Sequence, residues 1–465
     1  MLTALATLPL ALLPVYAAPV CAPPRHDGPR PGADSIGDPY YPGLGAGGYD
    51  VSHYDIVLGY DVESGAVDAV TTVTAVAEHA LSSFHLDFHA LEVTEITVNG
   101  AEAEFTREGR ELAVTPAEPL PEGEPFVARI AYGGVPRPVP DPATGGQPVG
   151  WLQKDSGVFV SSQCIGASSW FPCNDHQRDR ATFAFTVTVA KPYVVAANGQ
   201  LIEERDHGAS RTYVWRANAP MAPYLATIGI SEFEVHVDES PSGLPLRTFY
   251  PANLSERALA AFGRQGEIIE FLESCFGPYP FESAGAIVAD EFLGGALETQ
   301  TIPVYGRGTF SEEVIAHELA HQWFGDSITV HNWRDMWLNE GFASYGSFLW
   351  TEYADGFEAA EERARKMYWM LRRAEIGPPA DPGVENIFSP RVYERGAWVL
   401  HQLRAEVGDD YFFDILQTWY ERKRDQSATT EEFLALCDEV TGRDLSELFA
   451  RVLFDPVIPV DERYE

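Results

Sequence analysis

Through most of the first half of the chain, apolar and polar residues alternate one for one. Residues 54–58 open the pattern, 67–77, 84–88, 93–98 and 126–132 continue it, and 182–189 (TFAFTVTV) alternates strictly. A period of two sends successive side chains to opposite faces of an extended chain, so these stretches predict half-buried strands. Asn99-Gly100 is a hairpin turn signal, because both residues tolerate the left-handed backbone of a tight turn. Later strands are expected around Val214 and within 224–237. Many short strands separated by turns predict an antiparallel β sandwich or saddle-like sheet over residues 49–240, with the Pro- and Gly-rich stretch 135–150 as a long loop.

Past residues 238–244 the period changes to that of a helix, and Ser240-Pro241-Ser242-Gly243 marks the expected boundary. Residues 255–276 predict an amphipathic helix stopped by Gly277 and Pro278, and 284–289 predicts one short apolar strand. Ser311 is placed to cap a helix running to Phe324 and ended by Gly325, with Glu312 and Glu313 set favourably against its N-terminal dipole. A second helix is expected over 336–355, stopped by Gly356. A third is expected to start at Ser389-Pro390, where Val392, Val399, Leu403 and Val407 recur at helical spacing. Helical segments continue to Leu453, and no internal repeat occurs at a fixed period. The fold class is therefore α+β and multidomain: a β domain over 49–240, then a mainly helical domain over 241–465.

Composition narrows the function classes. A length of 465 residues suggests two or three domains, and 45% apolar content allows substantial cores. The net charge of −37 argues against nucleic acid and against an anionic membrane surface as partners, and it serves solubility. No segment predicts a transmembrane helix, and a monomer is the default expectation. The weakly apolar run Leu2 to Leu13, followed by Val15-Tyr16-Ala17, reads as a signal peptide over 1–17, although no Lys or Arg precedes it. That implies a secreted protein. Residues 18–48, rich in Pro, Gly and Asp, read as a mobile lead-in. The cysteines 21, 164, 173, 275 and 437 match no zinc framework, leaving a Cys164–Cys173 bridge and buried free thiols as alternatives.

The chemistry concentrates in the helical half. His317-Glu318-Leu319-Ala320-His321 lies within a predicted capped helix, and a spacing of four puts both imidazoles on one face, where they can share a metal. The next predicted helix supplies Glu340, with eighteen residues intervening after His321. Two histidines and one glutamate make a zinc site with a fourth position open for water. Zinc lowers the pKa of that water, and Glu318 is the candidate general base.

These residues resemble a known family. Trp323-Phe324-Gly325-Asp326 and Trp337-Leu338-Asn339-Glu340-Gly341-Phe342-Ala343 look like the zinc region of the aminopeptidase N family, which includes leukotriene hydrolase. The resemblance implies a zinc exopeptidase with a thermolysin-like catalytic domain, acting on peptides with a free N-terminus. Gly294-Gly295-Ala296-Leu297-Glu298-Thr299 is similar to the family's G-x-M-E-N segment, with Leu for Met and Thr for Asn. There the glutamate binds the substrate α-amine, which implies that role for Glu298 and a substrate-binding strand at Gly295 and Ala296. The preceding strand, 284–289, is expected to offer the peptide an edge to pair with. Tyr393-Glu394-Arg395-Gly396-Ala397 resembles Y-x-K-G-A, implying that Tyr393 donates to the oxyanion. Trp170-Phe171-Pro172-Cys173-Asn174-Asp175 looks like F-P-C-x-D. Upstream, Ile165 stands where the family carries a second polar anchor, and Gln163 is the nearest substitute.

The resemblance spans about residues 49–459. It implies a short form without the large C-terminal helical domain of longer members, and hence a more open cleft. Two other readings compete with an aminopeptidase. An endopeptidase, or a hydrolase with added epoxide chemistry, has no use for an amine anchor such as Glu298. A non-catalytic descendant would have lost ligands or the base, whereas His317, Glu318, His321, Glu340 and Tyr393 are all present.

Overall fold

The structure is a computed structural model and describes residues 28–465. The apolar run at 1–17, Cys21 and the first part of the lead-in lie outside the described residues.

The strictly alternating segments form an eight-stranded sheet. Its order is Gln200–Asp206, Ser210–Met221, Ala181–Ala190, Tyr49–Tyr60, Val67–Ala77, Pro125–Gly134, Glu92–Val98 and Ala101–Glu102. Phe183, Phe185, Val187 and Val189 all point into the core, as the period of two requires. The sheet is not wholly antiparallel: Ala181–Ala190 runs parallel to Tyr49–Tyr60. Those two strands are far apart in sequence and pair through a long connection, which local alternation does not encode. Asn99 and Gly100 both take positive φ and turn the chain between Glu92–Val98 and Ala101–Glu102. The stretch predicted as a loop carries a short hairpin, in which Val139–Pro140 pairs with the start of Pro148–Lys154. A five-stranded and a four-stranded sheet complete the β domain.

The expected boundary near residue 240 falls at the tip of a hairpin. Phe233–Glu239 pairs with Pro245–Pro251, and both belong to a second five-stranded sheet. Its order continues with Ala284–Val288, Val304–Tyr305 and Ala296–Leu297. The Ser-Pro-Ser-Gly composition thus served a turn and not a linker. The expected helix over 255–276 is broken at Gly263 and Arg264 into Glu256–Phe262 and Gln265–Phe276. No helix among the described residues is long and apolar enough to cross a membrane.

Residues 28–48 are packed, contrary to the expectation of a mobile lead-in. Tyr41 and Leu44 are buried. The Tyr41 hydroxyl donates to Asp141 Oδ1 at 2.7 Å, and the Tyr40 hydroxyl donates to Asp381 Oδ1 at 2.6 Å. Two aromatic anchors outweigh the turn-rich composition around them. Cys164, Cys173, Cys275 and Cys437 are buried free thiols, so no bridge joins Cys164 to Cys173.

Asp38 from this segment ties the two halves together. Its Oδ2 accepts from the Trp333 amide at 3.0 Å and faces His176 Nε2 at 3.3 Å, while Oδ1 accepts from the Tyr40 amide. Arg178 donates to the His331 carbonyl at 2.6 Å and to the Asn332 side chain, and Arg180 donates to the Ser327 carbonyl. Burial opposes ionisation of Asp38, but His176 and the Trp333 and Tyr40 amides hold its carboxyl below the usual range. Its contribution is therefore complete above the ordinary carboxylate pKa and is lost as pH falls through the lowered folded value. Asp38→Ala leaves buried donors unpaired and is expected to cost about 1–3 kcal/mol, read as a lower Tm. An unchanged Tm at neutral pH would remove Asp38 from the interdomain tie.

Candidate active site

The zinc-motif helix forms because Ser311 Oγ accepts from the Val314 amide and two glutamates fill its first turn. It spans Glu312–Ala320, ending sooner than the expected Phe324, with His321 as its C-cap. The chain then folds back at Gly325, whose φ is +130°. An added Cβ there would come within 2.8 Å of Asn339 Nδ2 and 3.1 Å of His321 Nδ1. Only glycine permits that approach. The return lets His321 Nδ1 meet the Phe324 carbonyl at 3.0 Å, which turns Nε2 towards Glu340.

Glu340 comes from the first turn of the Trp337–Asp355 helix. His321 Nε2 and His317 Nε2 are 3.0 Å apart, and each lies 3.2 Å from Glu340 Oε2. Donors about 2.0–2.1 Å from a tetrahedral zinc sit about 3.3 Å from one another, so this triangle fits the ion. The electrostatics agree. His321 is buried, which disfavours its charge, but Glu298, Glu340 and Glu318 push its pKa up to about 10. Burial opposes ionisation of Glu340 too, yet His321 and His317 hold it down at about 2. The cluster calls for positive charge, and a divalent ion answers that demand.

Glu318 is 5% exposed. Burial pushes its carboxyl well above the ordinary range, Glu298 and Glu340 push further, and His321 opposes them. Tyr393 sits immediately before the Glu394–Val407 helix, which starts later than the expected Ser389-Pro390. Its hydroxyl donates to Glu340 Oε1 at 2.7 Å, and its ring stacks on His317. Two glycines bring Tyr393 there. A Cβ on Gly341 would lie 2.8 Å from the Gly396 Cα, so the helices cross almost backbone to backbone. Arg395 is fully buried and donates to the carbonyls of Ile376, Val452, Asp455 and Pro456, fixing the start of this helix. That explains an arginine at this position, since its two terminal nitrogens donate to four carbonyls at once.

Glu298 lies beside this triad and is 2% exposed. Burial raises its pKa, with Glu340 adding and His321 opposing. Gln163 Nε2 donates to its Oε1 at 2.7 Å, so the β domain does bring Gln163 to the site. Ile165 is buried and supplies no polar group. The Tyr224 hydroxyl and Asn339 Nδ2 also donate to Glu298 Oε1, at 3.3 and 3.4 Å. Sequence reasoning missed both. Asn339 could have been found as the neighbour of Glu340, whereas nothing local marks Tyr224. Gln322, next to His321, holds the segment by donating to the Glu298 carbonyl and accepting from the Thr301 amide.

Gly295 and Ala296 lie on this same segment. Ala296–Leu297 is the edge strand of the catalytic sheet, whereas Ala284–Val288 is flanked on both sides. The edge open to an extended ligand is therefore not the one expected. The intervening residues fold back so that Ala296 pairs with Tyr305, which takes the place beside Ala284–Val288.

Residues 51–225 match the peptidase M1 N-terminal domain and residues 260–452 the peptidase family M1 domain. Aminopeptidase M1 of Arabidopsis thaliana is 26% identical over 64% of this chain and 37% of its own length. Leucyl aminopeptidase of Saccharolobus solfataricus is 26% identical over 88% of this chain and 54% of its own. The chain thus spans about a third to a half of these relatives, by the same shares. The M1 zinc metallopeptidase of Deinococcus radiodurans superposes with a TM-score of 0.86 at 29% identity, over 92% of this chain and 98% of that one. A mutant of that protein bound to a Tyr-Ser-Ala substrate superposes equally well, over 92% of this chain and 99% of that one.

Proposed function

This chain belongs to peptidase family M1, and we propose that it is a zinc aminopeptidase that cleaves the first peptide bond of substrates with a free N-terminus. The observation that carries this reading is the buried Glu298 carboxylate next to the His317–His321–Glu340 triad. A carboxylate beside a metal centre has a use if substrates bring an ammonium group. Zinc, when bound, acts as a Lewis acid on the scissile carbonyl and makes water acidic near neutral pH.

The chain's own residues do the rest. Glu298 and Gln163 receive the α-amine, so the scissile bond is the one a single residue away. The Ala296–Leu297 edge pairs with the extended substrate backbone. Glu318 removes a proton from the attacking water and passes it to the leaving amine. The Tyr393 hydroxyl donates to the carbonyl oxygen as negative charge develops there. The Tyr-Ser-Ala substrate bound by the mutant Deinococcus radiodurans metallopeptidase supports a peptide substrate.

A panel of fluorogenic aminoacyl amides, free and N-acetylated, with and without chelator, tests the reading. Free amides should be cleaved, acetylated ones should not, and chelation should abolish turnover. Equal cleavage of the acetylated series would instead favour an endopeptidase.

A further inference from the structure

Away from the zinc triad, a cavity of about 210 Å³ lies on the seam between the two domains. The β domain lines it with Leu201 and Trp215, and the catalytic sheet with Val237, Leu246 and Arg247. Side chains alternate along Pro245–Pro251, so Arg247 shares a face with Phe249, whose ring packs on Trp215 with centroids 5.9 Å apart. Arg247 therefore projects to the β-domain side of the sheet, and Val237 stands directly opposite it on Phe233–Glu239. Its guanidinium makes no hydrogen bond or ion pair among the described residues, although Glu239 lies on the same face two positions beyond Val237. Acidic residues outnumber basic ones 69 to 32, yet none is placed to neutralise this half-buried arginine. The Trp215 indole N–H is buried and also without a partner. Apolar walls around one fixed charge are the usual makings of a small-molecule site, the walls giving affinity and the charge orientation.

We propose that this cavity is a regulatory site for a small apolar monocarboxylate, with the carboxylate paired to Arg247 and the hydrocarbon tail against Leu201, Trp215 and Leu246. A guanidinium presents paired N–H donors that match the two oxygens of a carboxylate. Ligand pockets run from roughly 300 to 1,000 Å³, so this smaller one suits a tail the size of a single aliphatic or aromatic side chain. No acidic side chain lines the cavity, so an ammonium group gains nothing there. A zwitterionic amino acid is therefore a poorer ligand than the same acid without its amine.

One wall of the cavity leads to the active site. Thr301 and Ile302 line it, and both follow closely after Glu298 in the chain. Thr301 is held at φ +68°, a costly conformation for a β-branched residue. Its Oγ1 accepts from the Gly199 amide at 2.7 Å, and its own amide donates to Gln322 Oε1 at 2.7 Å. Gln322 in turn donates to the Glu298 carbonyl at 3.1 Å. A ligand packed on Thr301 and Ile302 braces that strained turn and, through Gln322, the segment that carries Glu298. Occupancy of the cavity therefore favours substrate binding, and substrate favours occupancy to the same extent. This coupling rests on the aminopeptidase reading, whereas the existence of the site does not.

Titration calorimetry of the zinc-loaded full chain with isocaproate tests this. Isocaproamide lacks the charge, acetate lacks the tail and leucine adds an ammonium, so each should bind at least about tenfold more weakly than isocaproate. Arg247→Gln should lose isocaproate binding. So should Val237→Glu, an exposed position that sets a carboxylate directly across from the guanidinium. Both variants should keep the basal kcat and KM. In wild type, isocaproate should lower the apparent KM for an aminoacyl amide about fivefold and leave kcat unchanged, and in Arg247→Gln it should do neither. Absence of binding to wild type, equal binding to Arg247→Gln, or acetate binding as tightly as isocaproate would overturn the proposal. A rise in KM that persists in Arg247→Gln would also overturn it, by placing the acid on the zinc. Binding with an unchanged KM would remove the regulatory role. Failure of the aminopeptidase reading would show separately, as absence of turnover on every free aminoacyl amide while isocaproate still binds.

Discussion

Glu318→Gln is expected to keep one zinc per chain and to lose about 10²–10⁴-fold in kcat, the usual range for removing a general base. The amide occupies the space of the acid, and the three atoms around the metal position, His317 Nε2, His321 Nε2 and Glu340 Oε2, do not depend on it. What disappears is the ability to accept a proton. Burial raises the Glu318 carboxyl well above the ordinary range, with Glu298 and Glu340 reinforcing it and His321 opposing them. Metal analysis and steady-state kinetics on the same preparation separate this from a damaged metal site. Substantial residual kcat with zinc in place would remove Glu318 from the role.

Much of this site is legible along the chain because the chemistry imposes local spacing. Two imidazoles four residues apart on a helix must face one ligand, and Ser311 declares where that helix begins. The same logic finds the strands of the β domain, since alternation survives wherever one face is buried. Legibility fails where residues meet through the tertiary fold. Tyr224 reaches Glu298 across 74 positions and carries no motif of its own. Gln163 could be named as a substitute anchor, but its hydrogen bond to Glu298, 135 residues away, depends on how the β domain docks. That docking is built from Asp38, Arg178 and Arg180 and from Asn198, which donates to the Gln300 carbonyl at 2.7 Å. Composition misled in two places for one reason. Pro-, Gly- and Asp-rich stretches at 28–48 and 240–243 predict irregular backbone, and they do turn, but turns can pack. Tyr40, Tyr41 and Leu44 anchor the first, and a hairpin closes over the second.

Tyr393→Phe is expected to lower kcat by about 10²–10³-fold with little change in KM, the scale of losing one donor to a developing oxyanion. The hydroxyl now rests 2.7 Å from Glu340 Oε1, beside the three metal-facing atoms. Burial and the Glu340 carboxylate raise the phenol pKa well above its ordinary value, so it remains a donor across the working range. A purely structural role predicts something else. If Tyr393 served only to orient Glu340, its removal would loosen zinc, and saturating zinc would restore the rate. If it donates to the transition state, zinc content stays at one per chain and no amount of metal recovers kcat. The Gly341–Gly396 crossing offers a second handle, because it sets the distance between the two helices. Gly396→Ala pushes them apart, keeps the hydroxyl and should still lower kcat, by moving the donor from its place. Wild-type kcat in zinc-saturated Tyr393→Phe would rule the tyrosine out of the chemical step.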